Sequence, residues 1–177
     1  GLPYPGGPAL EKLAATGDPS KFDLPRALLG RKDCDFSFSG LKTAAARQAE
    51  KITDEQSRAD LAAAVQFAIA RQLSERTDRA MKLYAASHSG QALRFVVAGG
   101  VAANGAVKDA LRKNCADNGF SFDAPPLAYC TDNAAMIALA GAERLAIGIS
   151  DDLDAVARPR WPLDEAAALS NPSNSFG

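Results

Sequence analysis

The chain has few of the residues that build metal centres and hydrolase triads. Its 177 residues include one histidine, His88, and three cysteines, Cys34, Cys115 and Cys130, with no CxxC pair. A single imidazole completes neither a histidine metal cage nor a Ser/His/Asp triad within this chain. An odd number of widely spaced cysteines predicts neither a disulfide framework nor a zinc site, and it agrees with a reducing compartment.

Long apolar runs and an excess of one charge are also missing. No run approaches the roughly 18 apolar residues of a membrane span, and residues 1–5 have no charged or apolar region typical of a signal peptide. The 20 Lys and Arg residues balance 21 Asp and Glu residues, which argues against a protein that coats nucleic acid through bulk charge. We therefore expect a cytoplasmic protein with no membrane association. Because the first residue is Gly1 and not Met, we also expect part of a longer protein.

Apolar periodicity predicts an α/β fold of about one domain with parallel strand connections. A long helix is expected from a cap at Thr53 or Asp54 to about His88, since apolar residues recur there every fourth position. The other predicted helices cover 9–15, 41–51, 103–118 and a segment from a cap at Thr131 or Asp132 to 148. Predicted strands cover 33–38, 94–98 and 120–122, of which 94–98 has the composition of a fully buried strand.

Two motifs combine glycines with a following helix. Gly99 and Gly100 end the strand at 94–98, and Asn104 opens the next helix. Glycines there let a backbone approach a ligand beyond the strand, and Asn104 can cap the helix or contact a ribose or base. In the other motif Gly7 precedes a helix that carries Glu11, which suits hydrogen bonds to sugar hydroxyls. An ordinary turn and a plain helix entry explain these two motifs equally well, and neither matches a Walker A or GxGxxG pattern.

Asp132, in the segment 129–138, lies before a helix whose face is built of small residues. An aspartate at this position is usually an N-cap. The alternative is a carboxylate ligand for a divalent metal or a group close to a phosphate, and the small residues leave room for a cofactor.

The segment 36–43 carries three hydroxyl side chains beside Lys42 but has no evident base, so a structural strand–turn–helix is the favoured interpretation. Residues 21–51 hold seven basic and four acidic side chains. This local excess suits contact with an RNA backbone, or a solvated face.

Five motifs in order resemble the TsaD family (Gcp, formerly O-sialoglycoprotein endopeptidase), the tRNA adenosine threonylcarbamoyltransferases. They are Tyr-Pro-Gly-Gly-Pro, Asp-Phe-Ser-Phe-Ser-Gly-Leu-Lys-Thr, Ala-Gly-Gly-Val-Ala-Ala-Asn, Cys-Thr-Asp-Asn-Ala-Ala-Met-Ile-Ala and Arg-Pro-Arg-Trp-Pro-Leu, spread over residues 3–163. Their order implies the carboxyl-terminal half of a protein about twice as long. The resemblance implies an actin-like ATPase (ASKHA) fold, of which this chain is one domain with a mixed sheet flanked by helices. The expected boundaries are 1–150, with a loop or insert at 17–40, and an irregular tail at 151–177.

The resemblance also implies a site and a reaction. Gly7 and Glu11 would line the nucleotide or ribose, Asn104 would bind the adenylate with room made by Gly99 and Gly100, and Asp132 would bind a metal, usually iron. Two histidines of the other half would complete that metal, and no residue of this chain is assigned as catalytic. The implied activity is transfer of the threonylcarbamoyl group from threonylcarbamoyl-AMP to the exocyclic amine of the adenosine next to the anticodon in ANN-decoding tRNAs. TsaB- and TsaE-like subunits are the implied partners, and this half alone is expected to be inactive and to bind metal weakly.

Three other functions compete with this one. A glycoprotein-cleaving metalloprotease lacks support because the chain has no HExxH motif. A non-catalytic scaffold would need neither Asp132 nor Asn104. An actin-like sugar kinase would require phosphate-binding residues from outside this chain, and Asp132 alone does not exclude it.

Overall fold

A computed structural model describes residues 1–28 and 30–154. Its helices are α1 (Gly6–Ala14), α2 (Ser39–Ala49), α3 (Glu55–Ser87), α4 (Gly105–Asn118) and α5 (Ala134–Ala146), and its strands are β1 (Arg94–Val96) and β2 (Ser121–Asp123). Short 3-10 turns lie at Pro19–Lys21, Gly100–Ala103 and Leu127–Tyr129. Residues 1–133 form one compact unit, and a second unit begins at residue 134. The predicted boundary at residue 150 stays a prediction, and the motif at 158–163 lies outside the described residues.

The long helix α3 is the central support of the first unit. Asp54 caps it by accepting a hydrogen bond from the Ser57 N–H at 2.8 Å, and the helix ends with His88 as its C-terminal cap. These bounds confirm the predicted helix. Within the described residues, no helix is both long enough and apolar enough to cross a membrane.

Small residues on α3 let neighbouring segments approach its backbone. Ala62 and Ala63 are buried against Ala14 of α1. Just beyond α1, a Cβ placed on Gly17 would lie 2.0 Å from the Ala59 carbonyl oxygen, which only glycine tolerates. The buried Asp60 carboxylate accepts the Asp18 N–H at 2.8 Å and so fixes the turn after Gly17. α1 is thereby held close along the first half of α3.

The two described strands are parallel, as predicted, with Phe95 opposite Phe122. They are joined through α4, which ends at Gly119 in the left-handed conformation (φ 74°), the predicted role of that glycine. One face of the sheet packs on Val107, Leu111 and other residues of α3 and α4. β1 is shorter than the predicted 94–98, and the expectation of a fully buried strand is wrong because Val96 is 66% exposed. In the described residues, the sheet is a two-stranded parallel one rather than mixed.

Polar side chains fasten α4 to the second half of α3. The buried Asn114 carboxamide donates to the Ser74 carbonyl at 2.6 Å and accepts from the Ser74 hydroxyl at 3.0 Å. Asn118 donates to the Asp78 carboxylate at 2.9 Å. Hydrogen bonds from Lys82 and Asn118 lower the pKa of Asp78 below its usual value. These bonds fix the register of the two helices.

The strand predicted at 33–38 is wrong, because the described sheet contains only β1 and β2, and the Asp33 carbonyl and the residues before it are bound by arginines of α3. The guanidinium of Arg76, which is buried, donates to the carbonyls of Arg31 and Asp33 at 3.0 Å, and also to that of Leu28. Arg79 donates to the carbonyls of Arg31 and Asp33. The alternating polar and aromatic pattern therefore belongs to an irregular segment.

The second unit contains α5, none of whose residues is buried. The helix begins at Ala134 and ends at Ala146, so it is shorter at both ends than predicted. Gly148 follows with φ 75°, and the Ile149 N–H donates to the Arg144 carbonyl at 2.9 Å, which closes the helix. The Arg144 guanidinium pairs with Asp151 at 3.2 Å.

Candidate functional site

Asn104 lies at the start of α4 and caps it. Its backbone is extended (φ −70°, ψ 124°), and its Oδ1 accepts a hydrogen bond from the Val107 N–H at 3.0 Å. The capping alternative offered by the sequence is thus confirmed. Contact of the same side chain with a ribose or base stays a prediction.

The other end of the Asn104 carboxamide contacts α3. Its Nδ2 donates to Oε1 of Gln66 at 2.9 Å. Gln66 was missed from the sequence, although the signal is visible: it is the one polar residue in the otherwise apolar stretch from Leu61 to Ala70. The Asn104 carboxamide is therefore held by two hydrogen bonds, one from its own helix α4 and one to Gln66 of α3.

Glu11 reaches the same helix start from α1. Its Oε1 accepts a hydrogen bond from the Gly105 N–H at 2.7 Å, and a Cβ on residue 105 would lie 3.2 Å from that oxygen. The carboxylate thus takes up one of the N–H groups that the first turn of a helix leaves unpaired, at the end where a negative charge is favoured. Two motifs far apart in sequence, those of Glu11 and Asn104, meet here.

The glycines of these motifs differ in whether their backbone conformation requires glycine. Gly99 has φ 84° and ψ 177°, a conformation open almost only to glycine, and it precedes the turn Gly100–Ala103 that leads into Asn104. Gly100 and Gly7 have no atom within 4 Å of the position a Cβ would take. Gly7 lies one turn before Glu11 on α1 and is exposed. Contact of these glycines with a ligand stays a prediction.

Asp132 is exposed and lies outside α5, which begins two residues later at Ala134. The predicted helix start at Thr131 or Asp132 is therefore wrong. Cys130, two residues before Asp132, is buried, and its thiol lies 3.6 Å from the Pro125 carbonyl oxygen. Across residues 1–28 and 30–154, no hydrogen bond or ion pair links Asp132 to Glu11 or Asn104.

The described part of the chain contains no group of three His, Cys, Asp or Glu side chains able to hold a metal ion. His88, the one histidine, stacks on the Tyr84 ring with centroids 4.0 Å apart, and its Nδ1 lies 3.0 Å from the Tyr84 carbonyl oxygen. A single exposed carboxylate does not fix a transition metal. The described residues therefore do not make a metal centre by themselves, and Asp132 can offer only one ligand.

The hydroxyl groups of 36–43 serve the start of α2, as favoured from the sequence. Ser37 Oγ lies 3.5 Å from the Ser39 N–H that donates to it, and the Thr43 hydroxyl donates to the Ser39 carbonyl at 3.4 Å. No hydrogen bond in the described residues joins Lys42 to any of these hydroxyls. The segment thus contains no nucleophile and base pair.

Ion pairs divide the basic residues of 21–51 into two groups. Lys21, Arg26 and Arg31 pair with acidic side chains. No ion pair within the described ranges engages the exposed Lys32, or the three bases on and just after α2, which are Lys42, Arg47 and Lys51. Three bases on and just after α2 are thus unpaired in the described residues, with one unpaired acid, Glu50, among them.

Two cavities flank α3. One of 460 Å³ lies among α1, α3 and α4 and is lined by Gln66, Phe67, Arg71 and Ala106, among others. The other, of 350 Å³, lies between residues 19–27 and α3. None of the site residues predicted from the sequence lines either cavity, and the larger one is bordered by Gln66, the hydrogen-bond partner of Asn104.

Comparison with known proteins gives consistent matches. The sequence model described as "TsaD: tRNA N6-adenosine threonylcarbamoyltransferase" matches residues 1–139. The chain is 78% identical over its whole length to a curated protein of that name from Caulobacter vibrioides, and 54% identical over its whole length to one from Maricaulis maris. A third, from Sinorhizobium medicae, is 55% identical over 96% of the chain. The chain spans about half the length of these curated relatives, 48% in each case.

Proposed function

Since this chain belongs to the TsaD family of tRNA N6-adenosine threonylcarbamoyltransferases, we propose that it is part of an enzyme that transfers a threonylcarbamoyl group to tRNA. The donor is threonylcarbamoyl-AMP, and the acceptor is the exocyclic amine of the adenosine next to the anticodon in ANN-decoding tRNAs. The proposal includes the ASKHA fold for the whole protein, and the helix-rich α/β unit with its parallel strands is consistent with one domain of that fold.

The proposed reaction needs no covalent enzyme intermediate. The donor is a mixed anhydride, so its carbonyl carbon is already activated. The amine nitrogen attacks that carbon and forms the C–N bond, and the C–O bond to the phosphate breaks. AMP leaves with the electron pair, and the proton lost by the nitrogen passes to solvent water or to the phosphate of AMP. The chain therefore has to bind and orient the adenylate, and the lack of a nucleophile and base pair in 36–43 fits this requirement.

The observation that carries the proposal is the meeting of Glu11 and Asn104 at the start of α4. Glu11 Oε1 is held by the Gly105 N–H, which leaves its second oxygen for a ribose hydroxyl. Asn104 Nδ2 uses one hydrogen on Gln66 and keeps the other for the adenylate. We propose that Gly7, Gly99 and Gly100 leave the space in which the nucleotide lies.

For Asp132 we propose a single ligand to a divalent metal, iron by resemblance to the family. The described residues do not complete such a site. A carboxylate oxygen is a suitable donor for a divalent cation, and Asp132 is exposed and accessible to one.

tRNA is the proposed macromolecular partner, and TsaB- and TsaE-like subunits are proposed to assemble with the protein. The free bases around α2, Lys42, Arg47 and Lys51, are the proposed contribution of this chain to binding of the tRNA backbone. A tRNA-modifying enzyme acts where tRNA is, so we propose the cytoplasm as its location.

The direct test is the content of threonylcarbamoyladenosine in cellular tRNA. When expression of the gene is shut off, this nucleoside should decline in nuclease digests analysed by mass spectrometry, and it should return when expression is restored. Other modified nucleosides in the same digest serve as the control. An unchanged amount after the protein has disappeared would refute the proposed function.

A further inference from the structure

We propose that Gln66 is a positioning residue for the adenylate site, because it fixes the carboxamide of Asn104 with an N–H directed at the ligand. The proposal rests on the proposed function and adds a residue to it. Gln66 lies on α3, outside the five motifs that carry the family resemblance.

The orientation of the Asn104 carboxamide follows from the chemistry of its partners. The Val107 backbone N–H is a donor only, so it requires the carboxamide oxygen, and that oxygen lies 3.0 Å away. The amino group must then face Gln66, which in turn must present its own oxygen, at 2.9 Å. The pair of bonds thus determines which atom of Asn104 faces each neighbour.

Without the Gln66 acceptor, only the bond to Val107 would hold the carboxamide, and its amino group could swing away from the ligand. An orientation fixed before the ligand arrives lowers the ordering cost of binding. Gln66 is half-buried, lies on α3 two residues beyond the buried run 59–64, and borders the 460 Å³ cavity. It therefore links the start of α4 to the central helix.

Two near-isosteric substitutions separate hydrogen bonding from packing. Gln66→Met keeps the length and helix propensity of the side chain but removes the acceptor. Gln66→Glu keeps an oxygen that accepts from Asn104 Nδ2. Gln72→Met is the matched control on the same helix, where Gln72 donates to the Ala27 carbonyl at 3.1 Å, away from α4.

The experiment measures steady-state transfer by the full-length protein with its partner subunits, together with its thermal midpoint. For Gln66→Met we expect the KM for threonylcarbamoyl-AMP to rise about three- to tenfold, the change in affinity for one neutral hydrogen bond, with the KM for tRNA unchanged. Gln66→Glu adds a negative charge close to the phosphate, so its rescue is measured with uncharged adenosine, for which it should keep most of the wild-type affinity while Gln66→Met loses it. Gln72→Met should leave both KM values as in wild type.

Equal KM values in Gln66→Met and wild type would overturn the role of Gln66 while leaving the proposed function intact. So would an affinity for adenosine that falls equally in Gln66→Met and Gln66→Glu. If Gln66→Met does not fold, Gln66→Glu and Gln66→Leu are compared by equilibrium binding of adenosine, and equal affinities would also overturn the role. Wild-type protein that transfers no threonylcarbamoyl group would refute the proposed function instead.

Discussion

The Glu11 carboxylate on α1 accepts the Gly105 N–H at the start of α4, a bond between residues 94 positions apart in sequence. It joins α1 to α4, the helix that follows the turn Gly100–Ala103. Because both helices also pack on α3, this bond closes a triangle of three helices. The motifs of Glu11 and Asn104 are thus joined at the start of α4.

Glu11→Ala should lower both stability and nucleotide affinity, whereas Glu11→Gln should mainly lower affinity. Glutamine still accepts from Gly105, but alanine leaves that N–H unpaired and removes a negative charge from a helix N-terminus, at a cost of about 1–2 kcal/mol. Chemical denaturation of the full-length protein gives the stability, and the KM for threonylcarbamoyl-AMP gives the affinity. An alanine variant as stable as wild type would show that the bond contributes nothing to the fold.

Asn104→Asp tests the same site while keeping the helix cap. Aspartate caps a helix as well as asparagine does, and the Gln66 carboxamide can turn to donate to it. The variant has no amide donor and places a negative charge beside the adenylate. We expect an unfolding midpoint close to wild type and a KM for threonylcarbamoyl-AMP raised at least about tenfold.

The control for the added charge is Gln91→Glu, in the exposed turn that follows α3. Gln91→Glu should leave the unfolding midpoint and the KM for threonylcarbamoyl-AMP unchanged. If Asn104→Asp has the same KM as wild type, Asn104 does not contact the nucleotide.

Much of this arrangement was predictable from local chemistry. The cap at Asp54, the end of α3 near His88 and the C-terminal Gly119 depend on side chains within a few residues, and these predictions are confirmed. The irregular conformation of 33–38 was not predictable, because its start is held by Arg76 and Arg79, more than 40 positions away, which bind the carbonyls of Arg31 and Asp33. Gln66 was missed for the same reason: a lone polar residue in an apolar helix has no assigned partner until α4 is in place.

Asp132→Ala tests the proposed metal ligand in cells. If Asp132 contributes to a metal on which the transfer depends, tRNA from cells carrying the variant should contain little or no threonylcarbamoyladenosine, at a protein level equal to wild type. Asp109→Ala is the control, since Asp109 is an exposed carboxylate on α4 paired with Arg112 at 3.2 Å. Normal tRNA modification in the Asp132 variant would exclude a required metal ligand at this position.

The free bases around α2 should contribute to tRNA affinity by neutralising backbone phosphates. Replacing Arg47 and Lys51 together with alanine should weaken tRNA binding and reduce the slope of log affinity against log salt by about 1 for each phosphate that is no longer neutralised. Lys113→Ala is the control, because Lys113 is engaged with Asp117 at 2.6 Å on α4. If the slope of log affinity against log salt is the same as in wild type, these bases do not contact tRNA and α2 is a solvated face.

Two Gly→Ala substitutions should change stability in opposite directions. At Gly17 an added methyl group would lie 2.0 Å from the Ala59 carbonyl oxygen, so the turn after α1 must move away from α3, at a cost of about 1–3 kcal/mol or more. At Gly40, within α2, nothing lies within 4 Å of the new methyl group, and alanine should stabilise the helix by about 0.5–1 kcal/mol. Denaturant unfolding of both variants measures the difference, and a Gly17→Ala variant as stable as wild type would mean that the turn after α1 does not approach α3 this closely.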